Sequence, residues 1–211
     1  MYGLTLVSAP ATEPVSASEL RDWVRVTGTA HDAVLALLGK AAREQVEGLT
    51  GRALVTQTWR LTLDGFPWPG GWQVLRNPSV WPDPHTIRVP KAPLVSVTHV
   101  KYYDMGGTLQ TLANTVYDVD AAHDPGRITL ALGQTWPVTR PKPGAVQVEF
   151  ICGYGAAAAV PECAKTAILF SVAQWFENRE AVVTGTIATE LPNAAKALLR
   201  QLWNGEMEYG L

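Results

Sequence analysis

Residue types that could do chemistry are scattered along this chain. His31 and Asp32 are adjacent and could form an acid–base pair, but Asp in the first turn of a helical pattern is better read as placed at the positive end of the helix dipole. Asp83, His85, His99, Asp104, His123 and Asp124 are metal-ligand types, yet none stands in a tight spacing such as H-E-x-x-H. His123-Asp124-Pro125-Gly126 reads as a turn, because Asp before Pro-Gly favours one. Gly153-Tyr154-Gly155 precedes a helical pattern in the manner of a phosphate-cradling loop. It lacks the third glycine of G-x-G-x-x-G and lacks G-K-[ST], so a turn is the better reading. Ser171 and Cys163 lie in an apolar helical stretch with no neighbouring base, outside any G-x-S-x-G elbow. The expectation is a protein with no catalytic residues, no metal site and no cofactor.

The elements that would hold these residues follow from periodicity. Residues 1–15 read as an extended arm, with Pro10 and Pro14 opposing helix. Ser16-Ala17-Ser18-Glu19 has the form of a capping box, and Leu20, Trp23 and Val24 share a face of the short helix after it, which Thr27-Gly28 ends. A second helix opens near Thr29 as cap, with Val34, Leu35, Leu38, Ala42, Val46 and Leu49 on one stripe. Lys40, Arg43, Glu44 and Glu47 fall largely off that stripe, and Gly51 is placed to close the helix. From Leu54 the period becomes two. Strands are expected near 55–63, 86–89, 94–103, 108–112, 116–119, 127–132 and 145–152, paired antiparallel through short turns. Pro161 then begins a helix that is apolar almost all round to Phe176, as for a helix buried within a bundle or against other subunits. A last helical pattern carries Leu191, Ala195, Leu198, Leu199 and Leu202.

The sum is an α+β chain: a four-helix bundle, two helices N-terminal and two C-terminal, with an inserted antiparallel β unit. Residues 1–53 supply the arm and first helices, 54–152 the β-rich insertion, and 153–211 the C-terminal helices and tail of one composite domain.

Composition narrows the function classes. The net charge of −2 argues against a nucleic-acid binder that neutralises phosphates with a basic stripe. Charged residues make up only 17% of the 211, which suits a surface partly covered by partners. Two cysteines, Cys152 and Cys163, both in apolar surroundings, read as buried reduced thiols. The first residues show no basic and apolar leader, and no apolar run is long enough to span a membrane. Trp68, Trp72 and Trp81 stand in a Pro-rich stretch, where aromatics serve either to cover the β unit or to contact a carbohydrate or protein partner.

The order of several segments resembles the head–tail connector, or neck adaptor, family of tailed phages. The matching residues are Thr50-Gly51-Arg52-Ala53-Leu54, Gln57-Thr58-Trp59, Leu63-Asp64-Gly65-Phe66-Pro67, Gly153-Tyr154-Gly155, Val160-Pro161 and Trp175-Phe176-Glu177-Asn178-Arg179-Glu180. Their succession spans nearly the whole chain. The resemblance implies a structural, non-enzymatic protein in the neck of a virion, assembled in the host bacterial cytoplasm. It implies a homo-oligomeric ring, commonly of about twelve copies. Such a ring joins the portal protein to a stopper or tail protein, and double-stranded DNA passes through its lumen without sequence-specific binding.

By that resemblance Trp175, Phe176, Glu177, Asn178, Arg179 and Glu180 are candidates for the subunit interface. The portal-docking candidates are Leu198, Leu199, Leu202, Trp203, Met207, Tyr209 and Leu211, within a docking segment of residues 191–211. The Pro- and Trp-rich stretch from Phe66 to Pro84 departs from the family pattern as an expanded loop, so Trp68, Trp72 and Trp81 become candidates for an outer or tail-side contact. Two other readings stand beside this one. The chain could be another ring of the neck, a stopper or tail-completion protein, although stoppers are usually mostly β. It could also carry a carbohydrate-binding module on the β insertion.

Overall fold

The computed structural model describes residues 2–67, 85–178, 182–183, 186–187 and 193–202. The fold is mixed α+β and divides into two compact units. One takes in residues 1–9 and 57–153, the other 10–56 and 154–211.

The first unit is built on strands β1 (Tyr2–Ser8), β2 (Gln57–Leu63), β3 (Thr86–Arg88), β4 (Leu94–Tyr103), β5 (Leu109–Thr111), β6 (Tyr117–Asp120), β7 (Arg127–Leu130) and β8 (Val146–Cys152). They form a five-stranded sheet, ordered β1-β2-β8-β4-β5, and a three-stranded sheet, ordered β3-β7-β6. All pairings are antiparallel. β8 is central and alternates buried with half-buried residues along its length, the pattern of a strand with one face on a core. Its inward side chains Val146, Val148, Phe150 and Cys152 are fully buried. Opposite them in register stand Leu61 and Leu63 of β2 and Val100 of β4, also buried.

The arm is a point of difference. The sequence pattern groups it with the helices, but Tyr2–Ser8 pairs along β2, from Tyr2–Leu63 to Leu6–Trp59. The reason is hydrogen-bond supply: an extended arm has a full set of backbone donors and acceptors, and the outer edge of β2 offers partners for them. The Asp124–Pro125–Gly126 turn places Gly126 against Leu94, where an added Cβ would lie 2.5 Å from the Leu94 Cβ.

The second unit holds helices α1 (Ala17–Val24), α2 (Asp32–Thr50), α3 (Glu162–Glu177) and α4 (Asn193–Leu199), with a 3-10 turn at Arg200–Leu202. Two short strands, β9 (Val182–Val183) and β10 (Thr186–Ile187), pair between α3 and α4. The capping box at α1 is formed: the Glu19 N–H donates to Ser16 Oγ at 3.2 Å, and the Ser16 N–H donates to the Glu19 carboxylate at 2.7 Å. The helix stops at Val24 rather than at Thr27-Gly28, because Arg25 takes the left-handed conformation and its N–H turns back to Arg21 and Asp22. α2 is not capped by Thr29. His31 is its N-cap and makes no side-chain cap bond, while the Asp32 N–H is taken by the Thr29 carbonyl. Gly51 closes α2 at φ 67°, as its spacing predicts.

The core of this unit gathers Leu20 from α1, Leu35, Ala42 and Val46 from α2, Ala164, Ala167, Ile168 and Val172 from α3, and Ala195 and Leu199 from α4. The largest departure from the sequence pattern is electrostatic. Arg43 and Glu47, expected off the apolar stripe, are 4% and 5% exposed. Arg43 donates to Glu47 at 2.8 Å and to Glu13 at 2.7 Å, and Glu47 accepts the Leu54 N–H at 2.8 Å. The segment before α1 carries buried Pro14 and Val15 and brings Glu13 to Arg43, so this side of α2 is covered. Burial opposes the charge on Arg43, but the carboxylates of Glu13, Glu47 and Glu44 outweigh it and hold the guanidinium more firmly protonated.

Glu47→Ala leaves Arg43 buried with fewer partners and should cost about 3–5 kcal/mol in chemical denaturation, against under about 1 kcal/mol for Glu44→Ala at the exposed end of the same cluster. Ser16→Ala should cost about 1 kcal/mol at neutral pH. The Ser16 side-chain and backbone bonds hold the Glu19 carboxyl below its usual value, so their contribution is present at neutral pH and fades as pH falls through the carboxylate range. The gap between wild type and Ser16→Ala should therefore narrow in acid.

Candidate subunit and partner surfaces

Several of the residues that could have done chemistry are occupied structurally, and Asp83 lies outside the described residues. Asp32 accepts from Arg21 Nη1 at 2.6 and 2.7 Å, and the His31 ring stands edge-on to Phe176 at 5.5 Å, so the pair has no acid–base geometry. Asp104 accepts from the Gln110 side chain and from the Thr108 N–H, and these bonds hold its carboxyl below the usual range. Asp120 accepts from Arg127 and from the N–H groups of His123 and Ala122, with the same effect. Ser171 is buried and returns its hydroxyl to the Ala167 carbonyl at 2.9 Å. Gly153 and Gly155 both sit at φ 123°, which only glycine adopts readily. The Gly153 N–H is spent on the Pro93 carbonyl and the Tyr154 N–H on that of Leu54, so these two amides are not offered to an anion. Among the described residues no group of three or more His, Cys, Asp or Glu side chains could hold a metal ion. No helix among them is long and apolar enough to cross a membrane.

What the second unit does offer is apolar surface. On α3 the buried residues Ala164, Ala167, Ile168, Ser171 and Val172 recur at i, i+3, i+4, i+7 and i+8, one helical stripe. The rest of the helix is also apolar, as the sequence predicts, yet Cys163, Leu169, Phe170, Ala173, Trp175 and Phe176 are only half-buried in the single chain. Trp23 is exposed and stands edge-on to Phe170 at 5.4 Å; separately, α2 turns Val34 and Leu37 outward, the latter 67% exposed. Of the predicted interface residues, Trp175 and Phe176 lie half-buried at the end of α3 and Glu177 and Asn178 are exposed beside them. Arg179 and Glu180 lie outside the described residues.

The predicted docking residues separate into groups. Leu199 and Leu202 are 0% and 8% exposed and belong to the core of their own unit, which takes their side chains out of any partner surface in this conformation. Leu198 is half-buried. Trp203, Met207, Tyr209 and Leu211, like Trp68, Trp72 and Trp81, lie outside the described residues. One group that sequence reasoning passes over is Arg52. Its Nε donates to the Leu202 carbonyl at 2.6 Å and its Nη1 to the Tyr154 hydroxyl at 2.9 Å. The motif Thr50-Gly51-Arg52 marks the position, but nothing in the sequence marks the partner 150 residues away.

The fold was compared with known proteins. No protein-family model matches the sequence, and no curated protein matches it. Solved structures do match. A chain from the neck of an empty gene transfer agent particle, computed with C6 symmetry, is 27% identical, with 99% of this chain and 98% of that one covered and a TM-score of 0.74. A chain from the virion of a native gene transfer agent particle is 25% identical over 98% of both, with a TM-score of 0.73.

The chain resembles a neck protein of a phage-like particle.

The likeness runs through both units. A third match, to the neck of a native particle computed with C12 symmetry, repeats the fold at TM-score 0.70 and 24% identity. The resemblance to head–tail connector proteins drawn from the order of sequence segments is thus borne out by structure. These likenesses are to structural virion components, in keeping with a non-enzymatic role.

The outward residues should be dispensable to the isolated fold. Leu37→Glu is expected to stay within about 0.5 kcal/mol of wild type, whereas Ile168→Ala should cost about 2–5 kcal/mol; denaturant titration of both checks this division of α2 and α3 into core and surface.

Proposed function

We propose that this chain is a head–tail connector: a structural protein that forms a ring in the neck of a phage-like particle, joins the portal to the stopper or tail, and leaves a channel for DNA. The observation that carries the reading is the whole-length likeness to neck chains of gene transfer agent particles. The cyclic symmetries of those particle reconstructions favour a ring over other assemblies.

In this reading the four helices act as one bundle that supplies the ring wall. A ring closed by rotation needs a head-to-tail contact between two different surfaces of the chain. The half-open side of α3, with Trp23, Trp175 and Phe176, suits one side of that contact, and the outward Val34 and Leu37 of α2 suit the other, because association would bury apolar area now in water. Glu177 and Asn178, with Arg179 and Glu180 next in sequence, would form its polar margin. The β unit faces outward or toward the tail, and Trp68, Trp72 and Trp81 contact a tail-side partner there. The net charge of −2 fits a lumen that does not grip the duplex.

The C-terminal segment docks to the portal. Since Leu199 and Leu202 serve the core, the contact falls to Leu198 and to residues 203–211, with Trp203, Met207, Tyr209 and Leu211 as apolar anchors.

Mass photometry of the chain with its cognate portal ring tests this. Full-length protein should add about a dozen copies per portal. Leu37→Glu should remain folded and fail to complete the ring. A chain that never adds to the portal at micromolar concentration would remove the connector reading.

A further inference from the structure

We infer that the outer edge of β1 receives an extended strand from the stopper, so that the five-stranded sheet gains a sixth strand on docking. Naming the stopper rests on the connector reading proposed above.

β1 is an end strand of its sheet, and among the described residues no strand pairs with its outer side. An end strand leaves a row of backbone N–H and C=O groups open to another chain, and proteins usually blunt that row with charge, proline or shortness. The other end of this sheet is blunted, since β5 has three residues. β1 has seven, Tyr-Gly-Leu-Thr-Leu-Val-Ser, with no charged residue and no proline. In register, Tyr2, Leu4 and Leu6 stand opposite Leu63, Leu61 and Trp59, and so share the face that carries Val146, Val148 and Phe150. The apolar core face thus runs on to β1, but its cover does not. Leu4 is half-buried, while Tyr2 and Leu6 are 57% and 43% exposed.

Such an edge selects an extended polypeptide, because main-chain bonds hold it and alternate side chains choose it. The incoming strand needs apolar residues beside Tyr2, Leu4 and Leu6, and tolerates polar ones beside Gly3 and Thr5. Two magnitudes decide whose strand it is. Strands twist by roughly 20–25° per step, so extending the sheet from β5 of one copy to β1 of the next would turn successive copies by roughly 100–125°. In a ring of about twelve, neighbours differ by about 30°. The sheet therefore does not continue itself around the ring. Nor does the edge suffice for pairing two free copies: its seven residues span about 24 Å, which at a depth of about 10 Å offers about 240 Å². A stable two-body interface takes about 800 Å² per partner. A contact this small holds where it is repeated, as between two stacked rings whose sites engage together. In the reading above the β unit faces outward or toward the tail, and the ring it meets there is the stopper.

Hydrogen exchange of the wild-type chain, read by mass spectrometry over residues 3–8, tests this without any substitution. In an edge strand alternate residues turn their amides outward, so about half of these should exchange fast in the free chain. They should stay fast when the chain is assembled on its cognate portal ring, and slow by about tenfold or more when the purified cognate stopper is added. Tyr2→Lys combined with Leu6→Lys puts charge on the edge. Both positions are exposed, so the melting temperature should stay within about 4 °C of wild type. The double variant should add to the portal as wild type does and bind the stopper about tenfold more weakly. Wild-type stopper binding by this variant would overturn the inference. So would a stopper that does not bind, or that binds and leaves residues 3–8 exchanging fast. Slowing on the portal before any stopper is present would give the edge to a second copy or to the portal, and would overturn it as well. A chain that never adds to the portal removes the connector reading and this partner with it. A chain that adds, and takes the stopper away from β1, keeps that reading and loses only this edge.

Discussion

The helical unit depends on the buried charge of Arg43. A guanidinium at 4% exposure is tolerable only when its donors are used, and here they reach Glu13, Glu44 and Glu47. The cluster fixes more than itself. Glu13 belongs to the segment before α1, so its bond holds that segment against α2. Glu47 also accepts the Leu54 N–H, which fixes the chain just as it leaves α2 for the β unit. Hydrophobic contacts would allow these segments to slide; a fork with three acid partners does not. Arg52 repeats the device nearby, donating to a backbone carbonyl and a phenol. The core residues supply most of the burial, and the two arginines supply the register.

Much of this fold was legible in the sequence where the signal is local. The Ser16–Glu19 box, the Gly51 cap, the period-2 run of β8 and the hairpins β4–β5 and β6–β7 are decided by residues within a few positions of one another. What escaped depends on distant partners. A helical wheel sets Arg43 and Glu47 beside the apolar stripe, and only the covering segment at Pro14 and Val15 places them inside. The arm reads only as extended because a strand at a sheet edge carries no signal of which strand it will meet, and β2 follows β1 in sequence only after α1 and α2. Leu199 and Leu202 fell into the docking set because apolar residues at helical spacing look the same whether they face a partner or their own core. Trp175 and Phe176 at the end of α3 pack against the same core while staying half-buried, a division that the apolar run alone does not show.

The acids of this chain are spent on local backbone structure, while its apolar surface is left partly open. Here the resolved carboxylate shifts are all downward and arise from turn or cap hydrogen bonds at Glu19, Asp104 and Asp120. Those bonds shape backbone and leave the acids ionised. Meanwhile α3 is apolar on faces that its own chain leaves half-open, a cost in water that a neighbour would remove.

The proposed ring would impose one more constraint, and it bears on the buried Arg43 cluster. In a cyclic assembly every copy makes the same contact twice, once with each face, so any looseness within a subunit recurs at each interface and prevents closure. A rigid subunit is therefore a condition for a ring of defined size. The buried Arg43 cluster meets that condition within the helical unit by fixing the segments on either side of α2.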